Sequence, residues 1–290
     1  MDEPASEPKG SSSEDGDRDA PYGALLDTRL RVRTWNLWWR YGPWARRQAA
    51  IAATLAELQP DVVALQEVFR QDAGRDQAAE LAEGLGYHHA YASRLHHDGF
   101  DFGNAVLSRW PFVRTESWPL PAGPGVDERR VLLLAEVDGP RGPVQVFCTH
   151  LNWRFDESAT RQVQVRAVAG AVAAARPRTY PPVLCGDLNA EPGSDEVRLL
   201  TGRAAVPVPR LVFHDAWEVA GDGGPGHTWS NANPYVALQL EPDRRIDYVL
   251  AGWPRAGGAG HVTSCRVIGR DPVAGVHPSD HHGVLAELRY

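Results

Sequence analysis

The sequence has almost no lysine. Lys9 is the sole one, and arginine supplies every other cationic side chain. We read that bias as codon usage rather than function. A surplus of positive charge is also missing, since the formal balance is −7. Proteins that bind nucleic acid nonspecifically displace counterions with a basic surface. This chain lacks that bias globally, which leaves room only for a local basic patch. Cysteine is scarce: Cys148, Cys185 and Cys265, each inside an apolar run. An odd number of such residues implies buried reduced thiols and a reducing compartment, and no CxxC pair supports a structural zinc site. No apolar run approaches the roughly 18 to 20 residues that span a bilayer. The N-terminus lacks a basic segment followed by an apolar one. We therefore expect a cytoplasmic protein with no transmembrane segment.

What is present is ordinary for a globular protein: 290 residues, 43% of them apolar and 23% charged. Residues 1–20 are acidic and rich in Ser, Gly and Pro, so a disordered tail is expected there. Residues 21–290 show no repeat and no linker, and are expected to form one domain, acting as a monomer. The coarse pattern places strands at Leu30–Trp35, Asp61–Gln66, Tyr87–Ser93, Phe102–Ser108, Arg130–Val137 and Val144–Thr149. Further strands follow at Pro182–Gly186, Ile246–Leu250, Val262–Ile268 and Gly283–Leu288. Helices are predicted at Trp44–Leu58, Asp76–Leu85 and Glu157–Ala175, the first from Ile51, Leu55 and Leu58 at i, i+4, i+7. Helices interspersed with hairpin-like strands predict an α/β (α+β) fold of mixed sheets covered by helices.

Polar residues recur where apolar runs stop. Asn36 follows Trp35, and Glu67 closes DVVALQ. His150 ends VQVFCT, while Asp187 and Asn189 end VLCG. Asp247 opens a late strand, and Asp280-His281 precedes the last one. Ligand sites of α/β proteins lie at strand ends and the loops beyond them. Taken singly, each residue has a plainer explanation. Asn36 caps a turn, Asp187 forms an Asx-turn, Asp247 pairs with Arg244 or Arg245 at the surface, and His150 is a satisfied core histidine. Together they supply carboxylate, amide and imidazole groups. Those are the parts of a metal-assisted hydrolytic site, with hard oxygen ligands for Mg²⁺ or Mn²⁺ beside His–Asp acid–base machinery.

Seven motifs stand in order: TWN (34–36), LQE (65–67), GNAVLSRWP (103–111), THL (149–151), GDLN (186–189), RIDYV (245–249) and SDH (279–281). In that order the chain resembles the endonuclease/exonuclease/phosphatase superfamily, from about Leu30 to Tyr290. The superfamily includes pancreatic-type deoxyribonuclease, abasic-site endonucleases, bacterial neutral sphingomyelinases and inositol-polyphosphate 5-phosphatases. The resemblance implies a four-layer α/β/β/α sandwich, two mixed sheets face to face with helices outside. It implies Glu67 as principal metal ligand, with Asn36 beside it and Asp280 helping to hold one essential Mg²⁺ or Mn²⁺. It implies Asp187 as the carboxylate that activates water and Asn189 as the amide on the scissile phosphate. His281 corresponds to the catalytic histidine oriented by Asp247, and His150 to a second histidine on the phosphate or leaving group. Members use either the Asp187-type acid or the histidine as base; the reading adopted here is Asp187 as base and His281 as phosphate stabiliser.

Two further residues are candidates for substrate contact. Arg130 precedes a strand and is in reach of a phosphate, or else pairs with Asp127 or Glu128. Trp229 in HTWS (227–230) stacks on a substrate group, or else packs in the core. Asn104 is expected to brace the site, and Trp35, Trp38, Trp39 and Trp44 either line a cleft or pack a strand–helix junction. His282 is expected to be structural, and His88, His89, His96 and His97, in or beside a strand and turn, to form an exposed polar loop rather than a second metal site.

Several departures narrow the branch. Trp38 stands where abasic-site endonucleases carry an acid, and His150 where they carry tyrosine. The expected activity is hydrolysis of a small-molecule or lipid-linked phosphoester. A DNA or RNA nuclease of the same fold is the alternative, and a non-catalytic binding protein a third reading.

Overall fold

A computed structural model describes residues 20–71, 74–97, 99–123 and 128–290. The expected tail, apart from Ala20, and the Asp127 pairing lie outside the described residues, as do the side chains of His96 and His97. The elements are β1 (Arg29–Asn36), α1 (Trp44–Leu58), β2 (Val62–Gln71), α2 (Gln77–Leu85), β3 (His88–His97) and β4 (Phe100–Ser108). There follow β5 (Phe112–Pro119), β6 (Val131–Gly139), β7 (Gly142–His150), α3 (Ser158–Ala174) and β8 (Val183–Asp187). The chain ends with α4 (Asp195–Thr201), β9 (Phe213–Asp215), α5 (Ala216–Ala220), β10 (Asp247–Gly252), β11 (Val262–Ile268) and β12 (Gly283–Arg289).

Two mixed six-stranded sheets result, ordered β11-β12-β1-β2-β4-β3 and β5-β6-β7-β8-β10-β9. Each contains a parallel pair joined through a helix: β1–α1–β2 in the first and β7–α3–β8 in the second. Antiparallel strands flank those pairs, with β12 beside β1 and β10 beside β8. The C-terminal ends of a parallel pair and the N-terminal ends of its antiparallel neighbours fall on one edge of the sheet. Six polar strand ends, far apart in sequence, are thereby gathered on that edge.

Three apolar layers hold the sandwich. Val32, Val62, Val106, Leu133, Val146 and Val249 pack between the sheets. Leu134, Phe147, Val165, Val168, Leu184 and Leu250 pack sheet against α3 outside the second sheet. Trp35, Ile51, Leu55, Val63, Leu65 and Leu81 do the same under α1 and α2 outside the first. This is the α/β/β/α layering expected. Strand alternation explains it: Val62 and Ala64 face the inner layer, Val63 and Leu65 the outer.

Local chemistry sets the boundaries. Asp76 is the N-cap of α2 rather than its first residue, its carboxylate accepting from the Ala79 amide at 2.9 Å. Gly86 ends the same helix in the left-handed region. β5 escaped the sequence reading because it is an edge strand with most side chains toward solvent. The short α4, β9 and α5 lacked enough residues for a period to emerge. His88 and His89 open β3 and His96 and His97 close it, so an edge strand carries the four, and His89 lies 3.6 Å from Asp76.

Candidate active site

Hydrogen-bond register builds one row of the site. His150, Asp187 and Asp247 are paired across β7, β8 and β10 and lie side by side at the sheet edge. β8 reaches that position because residue 186 is glycine; a Cβ there would overlap the Thr149 carbonyl oxygen on β7. The close approach is therefore to the neighbouring strand. The chain then turns instead of staying extended, with Asn189 at φ 48°. Its amide donates to Asp187 Oδ1 at 2.9 Å. Asp187 does form an Asx-turn, and its second oxygen remains for the site.

Around Asp187 Oδ2 stand Asn36 Nδ2 at 3.0 Å, His150 Nε2 at 3.4 Å and His281 Nε2 at 3.7 Å. Asn36 Nδ2 also donates to Glu67 Oε1 at 3.1 Å, while its Oδ1 accepts from the Trp38 amide at 2.9 Å. Asn36 thus ties two carboxylates together, one from each sheet. Glu67 reaches it through a β-bulge: pairing of β2 with β4 shifts between Leu65 and Val68, and Glu67 adopts φ 53°. A bulge re-aims a side chain that strict alternation would have placed elsewhere. Its neighbour Gln66 turns inward to Thr34 and Cys148.

His281 Nδ1 meets Asp247 Oδ2 at 2.9 Å. The surface pairing open to Asp247 in the sequence does not occur: it is buried, Arg245 pairs with Asp215 at 2.6 Å, and Arg244 pairs with Glu241. The loop carrying Asp280 and His281 is fastened from several sides. Ser279 Oγ donates to the Asn36 carbonyl at 2.7 Å. Asn233 Nδ2 donates to the carbonyls of Ser279 and Asp280 at 2.8 and 3.0 Å. Arg47, fully buried, gives its donors to the backbone oxygens of Leu37, Trp38, Trp39, Tyr41 and Pro278 at 2.8 to 3.0 Å. Sequence reasoning missed Arg47 and Asn233. Neither carries a motif signal, because each acts on backbone from a distant element.

Of the substrate-contact candidates, Arg130 does not stand free. It donates to His150 Nδ1 at 2.8 Å and pairs with Glu128. Trp229 packs its ring on His281, 5.0 Å between centroids and steeply inclined, and lines the cleft. Asn104 braces the two sheets, donating to the Val131 carbonyl at 2.8 Å. Of the tryptophans, Trp35 is buried and donates to the His281 carbonyl at 2.9 Å. Trp39 and Trp44 pack on Phe69, and Trp38 lines the cleft. His282 is buried behind His281.

Electrostatics divide the two histidines. Burial opposes charge on His281, but Asp247, Asp187 and Asp280 together hold its pKa well above the usual imidazole range. Burial, Arg130 and His281 hold His150 well below that range. Arg130 has no acceptor, so Nδ1 of neutral His150 carries the lone pair and Nε2 the proton. Burial and the Asp247 charge push Asp187 up to about 6, against His281 and Asn36. Burial and the Asp280 charge push Glu67 up to about 7. Asp280 is itself raised by burial. Carboxylates that repel one another in a buried cleft suit a hard divalent cation. Asp187, Asp247 and His281 also bring ligand atoms within 4.8 Å of one another. A protonated, Asp247-bonded imidazole is a poor ligand, so Glu67 and Asp280 fit the cation better.

A sandwich edge that gathers these carboxylates and imidazoles holds the groups that a metal-assisted hydrolytic site uses. The Endonuclease/Exonuclease/phosphatase family model matches residues 34–281, and the chain belongs to that family, whose members hydrolyse phosphoesters. The chain is 31% identical to the endonuclease/exonuclease/phosphatase of Beutenbergia cavernae DSM 12333, at a TM-score of 0.68, over 90% of this chain and 71% of that one. TDP2 from D. rerio, solved with a single-strand DNA product, shares 23% identity and a TM-score of 0.73 over 91% of this chain and 100% of that one. A Bacteroides vulgatus endonuclease/exonuclease/phosphatase shares 18% identity at TM-score 0.69, over 90% of this chain and 99% of that one. At those lower identities the likeness is one of fold. No curated protein matches the chain by sequence. Among the described residues no helix is long and apolar enough to cross a membrane.

Proposed function

We propose that residues 21–290 form a divalent-metal-dependent phosphoesterase that attacks phosphorus with an activated water. The observation that carries this reading is the setting of Asp187 Oδ2, with Asn36 Nδ2 at 3.0 Å and the imidazoles of His150 and His281 at 3.4 and 3.7 Å. A divalent cation on Glu67 and Asp280, Mg²⁺ or Mn²⁺ by the hardness of those donors, supplies charge that offsets the phosphate oxygens. Asn36 keeps the Glu67 and Asp187 carboxylates at a fixed spacing.

Asp187, raised to about 6, is ionised near neutral pH yet basic enough to take a proton from water. The water oxygen bonds to phosphorus as the ester P–O bond breaks; the water proton passes to Asp187, and the leaving oxygen takes a proton from solvent and departs as the alcohol. His281, already protonated, serves as a hydrogen-bonding cation for the pentavalent oxyanion, and Asp247 holds its ring. His150 offers Nε2–H to the same phosphate because Arg130 fixes its tautomer. Asn189 Nδ2 donates to the Leu151 carbonyl at 3.1 Å and lies 3.1 Å from His150 Nε2, which sets two N–H donors side by side for the phosphate.

A nuclease is the second reading, favoured by the likeness to a TDP2 solved with a DNA product. Against it, the cleft walls carry Glu241 beside Arg244 instead of a basic stripe. The test is hydrolysis of nitrophenyl phosphodiesters, a single-stranded oligonucleotide and dispersed phospholipid with Mg²⁺, Mn²⁺ or chelator. Metal-dependent turnover that disappears in His281→Ala is expected. Chelator-resistant turnover would refute the mechanism, and turnover of the oligonucleotide alone would favour the nuclease.

A further inference from the structure

Two consecutive tryptophans after β1 stand in the left-handed region, Trp38 at φ 56° and Trp39 at φ 35°. L-residues avoid that region because Cβ approaches the following carbonyl, and two in a row are rarer than one. Glycine adopts it freely, but neither position is glycine. Such a turn persists only where its surroundings over-determine it. It also matters to the site, since Trp38 and Tyr41 line the cleft.

Arg47 of α1 holds the turn. A guanidinium has five N–H donors, and here each has an acceptor. Nε donates to the Tyr41 carbonyl at 2.9 Å. Nη1 donates to Leu37 at 2.8 Å and to Pro278 at 2.9 Å. Nη2 donates to Trp38 at 2.9 Å and to Trp39 at 3.0 Å. Four of these carbonyls belong to the segment 37–41, and both left-handed residues are among them. The guanidinium also lies 4.7 Å from the Trp38 ring centroid. Lysine has three donors on one atom and cannot serve a planar fan of this width.

The turn in its place orients Asn36. The Trp38 N–H donates to Asn36 Oδ1 at 2.9 Å. A backbone N–H only donates, so the amide oxygen faces Trp38 and the amide nitrogen faces away from it. From there Nδ2 reaches Glu67 Oε1 at 3.1 Å and Asp187 Oδ2 at 3.0 Å. An amide turned over would set its oxygen against both carboxylates. We propose that Arg47 is a positioning residue of the site: through the left-handed turn it fixes the Asn36 amide with its nitrogen toward Glu67 and Asp187. The consequence for a bound cation rests on the phosphoesterase reading above; the orientation of the amide does not.

Arg47→Lys keeps the charge and most of the stem. The readout is hydrogen exchange of the Asn36 side-chain amide by NMR, in chelator. Exchange in the variant is expected to be at least about tenfold faster than in the native chain. Ile51→Ala, at another fully buried position of the same helix, is the control. It is expected to lower the urea midpoint and to leave the Asn36 amide protected. An amide that stays protected in Arg47→Lys, or that is freed equally in Ile51→Ala, overturns the proposal. Binding of Mn²⁺, read from the paramagnetic resonance of the free ion, is expected to weaken about tenfold in Arg47→Lys. A freed amide with unchanged Mn²⁺ affinity refutes the link to the cation alone. A native chain that binds no Mn²⁺ refutes the phosphoesterase reading and leaves the positioning of the amide standing. Where Arg47→Lys does not fold, the native chain decides. Its Trp38 amide and Arg47 Nε–H are expected to exchange within about tenfold of each other, as parts of one opening. A Trp38 amide that exchanges freely beside a protected Arg47 Nε–H overturns the proposal.

Discussion

The molecule contains two β–α–β units, β1–α1–β2 and β7–α3–β8, in opposite sheets, and they end differently. β8 ends in register, Asp187 standing beside His150 and Asp247 in an unbroken row. β2 does not: its ladder slips at Gln66 and Glu67, and Glu67 is held at φ 53°. The regular end places proton-handling groups side by side. The irregular end swings one carboxylate toward Asp280 against electrostatic repulsion, which the Asn36 hydrogen bond and the His281 and Arg130 charges offset only in part. Two copies of one topology thus divide the proposed chemistry, metal holding on the first sheet and water activation on the second, with Asn36 bridging them. His281 is the exception, since it sits on the first sheet's loop and is held by Asp247 of the second.

That division is open to attack. Asp187→Asn keeps the Asx-turn oxygen and loses the base, so kcat on a soluble diester is expected to fall by about 10³-fold or more with little change in the Mg²⁺ midpoint. Glu67→Gln is expected to do the opposite first: the Mg²⁺ concentration for half-maximal activity rises about 10- to 100-fold. If both variants move the Mg²⁺ midpoint equally in a metal titration, the two strand ends do not have separate tasks.

Gly186→Ala probes the regular end. A methyl against the Thr149 carbonyl should destabilise the fold by about 2 kcal/mol, read as a lowered urea midpoint. An unchanged midpoint would mean that β8 does not depend on that close approach.

A pH-dependent effect concerns the irregular end without metal. Glu67 is raised to about 7 from a usual value near 4.5, mainly by burial. Below both values the carboxyl is neutral folded or unfolded and costs nothing. As pH rises from 4.5 to 7 the unfolded chain ionises first, so stability falls by about 3 kcal/mol and stays down above 7. Chelator-treated Glu67→Gln should therefore be more stable than the native chain at pH 8 in urea melts, with the difference shrinking toward zero as pH falls below 4.5. Equal stability at pH 8 would remove the repulsion argument.

The sequence was most legible where periodicity is strong and motifs are short. Most strands, the three long helices and every polar strand end were visible, because a buried strand that stops at Asp or His breaks its own pattern. Arg47 was not visible, since an arginine in the first turns of an amphipathic helix looks like a solvated face. Nor were Asn233 and the Glu67 bulge, which exist only relative to other strands. For Arg130 the sequence left a phosphate contact and an ion pair with Asp127 or Glu128 both open; it pairs with Glu128 and also donates to His150.

By itself the sequence determined the family, the layered fold and the set of groups available for chemistry, because local alternation and short motifs suffice for those. The tertiary structure alone decided which histidine is charged. His150 and His281 are the same side chain at similar strand ends; burial, Arg130 and His281 hold the first neutral, while Asp247, Asp187 and Asp280 outweigh burial at the second. Protonation follows from neighbours a few ångströms away, and two of them, Arg130 and Asp247, are 20 and 34 residues distant along the chain.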